Sequence, residues 1–124
     1  MALAIGTDIV EIKRIASVID RQGDRFVERV LCATERAEYQ RLKQNAAFLA
    51  KRFAAKEAVA KALGTGIGHG VSFQDICVSN NEQGAPQVAI AGGAADVLQS
   101  LGGSKVLLSL ADEQDYALAY VVIT

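Results

Sequence analysis

The chain has 124 residues, 51 % of them hydrophobic, with a formal net charge of −1 and a single histidine. That length holds one domain, residues 1–124, with a proper core; no run approaches the ~20 apolar residues of a membrane span, and the near-neutral total predicts no polyanionic partner by itself. Met1 to Ile5 lacks the basic n-region of a signal peptide, so a cytoplasmic location is expected, with Cys32 and Cys77, which have no CxxC spacing, as reduced core thiols.

Ala2 to Ile9 is a short apolar run of strand formers that includes Asp8. Ile12, Ile15, Ala16 and Ile19 then recur at helical spacing, and Gly23 is the expected stop. Asp24 is placed to cap a short helix that turns Phe26, Val27, Val30 and Leu31 inward and Arg25 and Arg29 outward. Thr34 followed by Glu35 reads as a cap for a helix running to about Leu42.

From Ala46 to Leu63 nearly every residue is a strong helix former, and Gly64 ends the run. Alanines surround this helix on all sides, so it reads as largely buried. It nevertheless carries Lys51, Arg52, Lys56, Glu57 and Lys61, and charges in a packed environment need partners. Glu57 and Lys61 are four apart and share a face; an ordinary ion pair there is worth ~0.2–0.5 kcal/mol. The alternative is a ligand set between carboxylate and ammonium.

Gly64, Gly66, Gly68 and Gly70 form a loop after a helix, which is not the dinucleotide arrangement of strand, glycines and helix. His69 stands there with no second ligand nearby and reads as a plain loop residue. Asp75–Ser79 and Gln87–Ile90 are expected strands joined by a turn through Asn80, Asn81, Gly84 and Pro86. Ala94 to Leu101 fits a short helix, and Lys105–Leu110 and Tyr116–Ile123 a final strand pair across Asp112–Asp115. Helices gather in the first half and strands in the second, which predicts an α+β fold with helices on an antiparallel sheet. Charge divides the same way. Residues 1–63 hold twelve of the thirteen Lys and Arg against eight acids, a balance of +4, and the remainder stands at −5. The basic half suits an acidic partner or a polyphosphate; nucleic acid is the rival, but no nucleic-acid motif is present.

Gly6-Thr7-Asp8-Ile9-Val10-Glu11, followed by Phe53-Ala54-Ala55-Lys56-Glu57-Ala58 and Lys61-Ala62-Leu63-Gly64-Thr65-Gly66, resembles the paired signatures of the 4′-phosphopantetheinyl transferases. The small bacterial type, which acts on acyl carrier protein, is the nearest likeness, and it spans essentially the whole chain. The resemblance implies transfer of the phosphopantetheine arm of coenzyme A to a serine of apo acyl carrier protein, with release of 3′,5′-ADP, in support of fatty acid synthesis. It implies Mg²⁺ held by Asp8 and Glu57, although Asp8 read alone could equally cap the following helix. Lys61 matches the lysine at the pyrophosphate, so Asp8, Glu57 and Lys61 form the catalytic set. Arg52 and, more weakly, Lys43 become candidates for the 3′-phosphate. Gly64, Thr65 and Gly66 would let backbone approach the ligand, and Gly84 and Pro86 would meet the adenine.

The resemblance further implies a homotrimer with shared active sites and an acidic carrier docked on Arg14, Arg21, Arg25 and Arg29, each of which could otherwise be a plain solvated charge. Two departures stand out. Many relatives carry Ser-His where this chain reads Ser109-Leu110-Ala111, and Gly-Lys-Pro where it reads Gly84-Ala85-Pro86. The missing histidine prompts a rival reading, a coenzyme A binding module without catalysis.

Overall fold

The structure is a computed structural model describing residues 1–124. Strand β1 (Ala4–Glu11) leads into α1 (Ile12–Gln22), α2 (Asp24–Val30), α3 (Ala33–Arg41) and α4 (Ala46–Leu63). A 3₁₀ turn at Phe73–Asp75 opens the second half: β2 (Ile76–Asn80), β3 (Pro86–Ile90), α5 (Gly92–Ser100), β4 (Val106–Glu113) and β5 (Tyr116–Ile123). The fold is α+β, as the segregation of helices and strands predicts.

Strands β1, β5 and β4 form one antiparallel sheet with β5 central, and β2 and β3 form a separate hairpin. α4 lies across the inner face of the larger sheet. Its alanines explain how: Ala54, Ala55 and Ala58 are wholly buried, and their small side chains let the helix axis come close to β1 and β5. From the sheet, Val10, Ala117, Ala119, Val121 and Ile123 meet them. Asn45 caps the start of α4, its side chain accepting the Phe48 N–H, and Gly64 ends it at φ 84°, a left-handed conformation that costs glycine nothing.

Gly6 is the tightest point of this layer. A Cβ there would stand 2.1 Å from the Ala58 carbonyl oxygen and 2.8 Å from the Ala62 nitrogen. No side chain fits, so β1 rests directly on the backbone of α4.

Several local expectations need correction. The first strand starts two residues later than Ala2 and runs past Asp8 to Glu11, because its ladder with β5 continues as far as Tyr116. Asp24 is the first residue of α2 and not its cap; Gly23 holds that place. The cap of α3 is Cys32, two residues before Thr34, with the Glu35 side chain accepting the Cys32 N–H. Cys32 and Cys77 are joined as a disulfide, Cα atoms 6.1 Å apart, and are not free thiols. The bond ties the start of α3 to β2.

Beneath that link lies a buried polar node. Lys56 Nζ donates to Glu35 Oε1 at 2.6 Å, to Val30 O at 2.5 Å and to Phe73 O at 3.2 Å. Glu35 also accepts the N–H groups of Cys32 and Val78. Every ammonium proton is matched, which is what a lysine with no exposed surface requires.

Candidate active site

The close approach at Gly6 sets the first half of the site. Two residues on, the Asp8 side chain leaves β1 beside α4, and Lys61 Nζ meets it at 2.9 Å from Oδ1 while also donating to Thr7 O at 3.0 Å. Asp8 is mostly covered, its side chain 16 % exposed, whereas that of Lys61 is 53 % exposed and can swing away. The ion pair that the i,i+4 spacing allows within α4 is not formed: Lys61 bonds Asp8 and not Glu57.

Glu57 faces the same place. Its carboxyl is pushed above the usual range, first by burial and then by the negative charge of Asp8; Lys61, Arg14 and Arg29 pull it back. A half-buried Glu57 facing the negative charge of Asp8, beside one mobile ammonium, makes a site short of positive charge. A hard divalent cation with oxygen ligands answers that shortage, and Asp8 with Glu57 is the donor set it favours.

A second set of three close ligand atoms, Cys32, Glu35 and Cys77, does not make a metal centre. Its sulfurs are bonded to each other, and the Glu35 oxygens are taken by Lys56 and two backbone N–H groups.

Arg52 organises a separate cleft. Only 5 % exposed, it donates from Nη2 to Asn80 Oδ1 at 2.9 Å, lies 4.6 Å over the Phe48 ring, and leaves its Nε without a partner. Burial lowers its pKa, with Glu35 and Glu38 opposing. Two adjoining clefts of about 270 and 310 Å³ meet at Arg52, Phe48, Asn80 and Glu38, and the larger reaches Gly84 and Pro86. Asn80 holds that turn by donating to Gly84 O, so Arg52, Asn80 and Gly84 form one connected wall. Arg52 is the cation common to both clefts, which Glu35, Glu38 and Asp112 also line, and with Lys51 it is the group an anion entering there would meet.

The remaining expected residues divide. Gly64, Thr65 and Gly66 turn their N–H groups back onto the carbonyls of Lys61 and Ala60, so these donors finish the helix and are not offered to a ligand. Open space over Gly64 and Gly66 still leaves their backbone approachable. Arg14, Arg21, Arg25 and Arg29 are all exposed, on α1 and α2. Lys43 is exposed in the α3–α4 turn at φ 59° and does not line the Arg52 clefts. His69 is exposed as well. Ala111 stands opposite Leu118 on the outer face of β4. The roles of Gly6 and Asn80 escaped the sequence reading: Gly6 was visible only as part of a motif, and nothing local marks Asn80 as a partner of Arg52.

Comparison with known proteins gives consistent results. Residues 4–121 match the family model of the 4′-phosphopantetheinyl transferase superfamily. The holo-[acyl-carrier-protein] synthase of Shewanella pealeana is 57 % identical, covering 99 % of this chain and 98 % of its own. Among solved structures, the synthase of Neisseria meningitidis superposes with a TM-score of 0.92 at 42 % identity, covering 100 % and 99 % of the two chains. That of Bacillus anthracis, solved in complex with CoA (3′,5′-ADP), gives 0.83 at 39 % identity, covering 99 % and 96 %.

Proposed function

Since the chain belongs to the 4′-phosphopantetheinyl transferase superfamily as an enzyme of the holo-[acyl-carrier-protein] synthase type, we propose that it moves the phosphopantetheine arm of coenzyme A onto a serine hydroxyl of apo acyl carrier protein, with Mg²⁺, and releases 3′,5′-ADP. Such a modification serves fatty acid synthesis. The observation that carries the reading is the crowding of Asp8 and Glu57 beside Lys61.

Asp8 and Glu57 would hold Mg²⁺, which when bound offsets the charge of the diphosphate. Lys61 can leave Asp8 for the diphosphate oxygens and balance the negative charge that grows on the departing nucleotide. The serine oxygen forms a new bond to the phosphorus that carries the pantetheine, the P–O bond to the nucleotide breaks, and the serine proton passes to solvent or a base. Holding the two reactants in line supplies most of the rate in such a transfer. Arg52 receives the 3′-phosphate in its cleft, with Gly84 and Pro86 toward the adenine.

The site is shared between subunits. Arg52 and Lys61 are nine residues apart on α4, so at about 100° per residue they point to opposite sides of the helix. One coenzyme A reaches both cations most simply when they come from neighbouring chains. The outer face of the β1–β5–β4 sheet offers the contact. Ile5, Ile9, Leu107, Leu118 and Tyr120 stand 41–63 % exposed there, and Ile9, Leu118 and Ala111 align in adjacent register. A face this apolar is covered in an assembly; a second copy of the chain covers it, and three copies close the ring. No helix is long and apolar enough to cross a membrane, and a cytoplasmic enzyme suits the substrates.

The basic face of α1 and α2 receives the acidic carrier. Its Arg14 and Arg29 are near enough to Glu57 to lower that group's pKa, so a carrier on this face delivers its serine beside the metal site. The cleft assignment is tested with 3′-dephospho-coenzyme A. Arg52→Ala should weaken coenzyme A binding about tenfold, the scale of a lost charge-assisted contact, and leave the dephospho form unaffected. Equal weakening of both ligands would remove the 3′-phosphate from Arg52.

A further inference from the structure

The helix that presents Arg25 and Arg29 has its C-terminal carbonyls finished by side chains from three other elements. α2 ends at Val30, and the last carbonyls of any α-helix lack partners inside it. Leu31 N–H returns to Val27 O, but the Cys32 N–H, which would serve Glu28 O, goes to Glu35. Gln74 fills the gap. Its side-chain nitrogen donates to Glu28 O at 2.6 Å and Leu31 O at 2.7 Å, with Arg29 O at 3.4 Å. Lys56 takes Val30 O, and Arg36 also donates to Leu31 O at 2.7 Å. Beside Gln74 in the chain, Phe73 lies under the Arg29 guanidinium, 5.3 Å from the ring centroid.

Of these fasteners only Gln74 is both exposed and neutral. The 3₁₀ turn that carries it is closed by Asp75, which accepts the Ser72 N–H, and makes no use of the Gln74 side chain. What a glutamine supplies at this place is N–H donors aimed at α2. Lys56, by contrast, belongs to the buried node, where its loss would strand the Glu35 charge.

We propose that Gln74 is a positioning residue for the carrier protein: by fastening the end of α2 it holds Arg25 and Arg29 in the orientation that meets an acidic partner. The inference rests on the reading of α1 and α2 as the docking face. A loose α2 still carries its charges but presents them over a range of directions, so encounter weakens while Asp8, Glu57 and Lys61 keep their places on β1 and α4.

The test is Gln74→Met, which keeps length and charge but removes the donors, with Gln74→Ala beside it and the double variant Arg25→Ala, Arg29→Ala as control. KM for apo carrier protein should rise about three- to tenfold in both Gln74 variants, the scale of one or two lost hydrogen bonds, with kcat and the KM for coenzyme A unchanged. The difference from wild type should shrink as salt screens the arginines. If the arginine control leaves carrier KM unchanged, the docking face is wrong and the proposal falls with it. If the control raises carrier KM and the Gln74 variants do not, the face stands and Gln74 has no positioning role. A rise that persists at high salt, or a fall in kcat, likewise overturns it.

Discussion

The Lys61 ammonium lies 2.9 Å from the Asp8 carboxylate, joining the C-terminal turn of α4 to β1 across 53 residues of chain. The contact exists because Gly6, two residues before Asp8, lets the strand rest on the helix backbone. The pairing has a chemical consequence. It leaves Glu57, the other carboxylate, without a hydrogen-bonded cation, and it ends whenever Lys61 turns to a phosphate.

Gly6→Ala should therefore damage the site through the fold. The added methyl would have to displace the Ala58 carbonyl, and overpacking of this kind costs about 1–3 kcal/mol. Thermal denaturation should show that loss, and the Mg²⁺ concentration for half-maximal activity should rise because Asp8 moves with its strand. A variant with wild-type stability and Mg²⁺ dependence would contradict the close-approach account.

Glu57 gives a pH dependence. Its carboxyl is raised above the ordinary range by burial and by Asp8, so it gains its proton earlier than a free glutamate as pH falls. The protonated form cannot bind a cation. The Mg²⁺ needed for half-maximal activity should accordingly climb as pH falls toward and through the raised pKa, and added Mg²⁺ should push the acid limb of kcat/KM to lower pH. For folding the sign is the reverse of a salt-bridged acid: the raised pKa makes Glu57 a small burden at neutral pH that is relieved on acidification. An acid limb that ignores Mg²⁺ concentration would separate Glu57 from the metal.

The shared site can be tested by mixing two disabled proteins. Lys61→Ala and Arg52→Ala remove cations on opposite sides of α4 and are each expected to be weak transferases. After co-refolding, mixed assemblies contain sites in which one chain gives Lys61 and its neighbour gives Arg52. Activity should recover well above the sum of the separate variants. No recovery, with mixed oligomers demonstrated by size and mass, would place both cations in one chain's site.

Much of the architecture was legible in the sequence. The alanine-rich run ending at Gly64 announced a buried helix, and the split between helices and strands announced the fold class, since both follow from local propensity and composition. Gly6–Glu11 and Phe53–Gly66 resembled one family closely enough to nominate Asp8, Glu57 and Lys61. What stayed hidden depends on tertiary contact. Lys61 chooses Asp8 over the nearer-in-sequence Glu57 because β1 approaches within bonding distance. Cys32 meets Cys77 only when α3 packs on β2. Lys56 stood out as a charge in a buried helix, but nothing in the sequence named Glu35 as its partner.

The most direct measurement is the mass of apo acyl carrier protein after incubation with coenzyme A, Mg²⁺ and this protein. We predict a gain of one phosphopantetheine arm on the carrier serine, with none from Asp8→Ala or Glu57→Ala at the same Mg²⁺ concentration, although both variants keep the fold. An unmodified carrier alongside a wild-type protein that binds coenzyme A would mean a binding module without catalysis. Full modification by Glu57→Ala would contradict the metal site at the centre of the account.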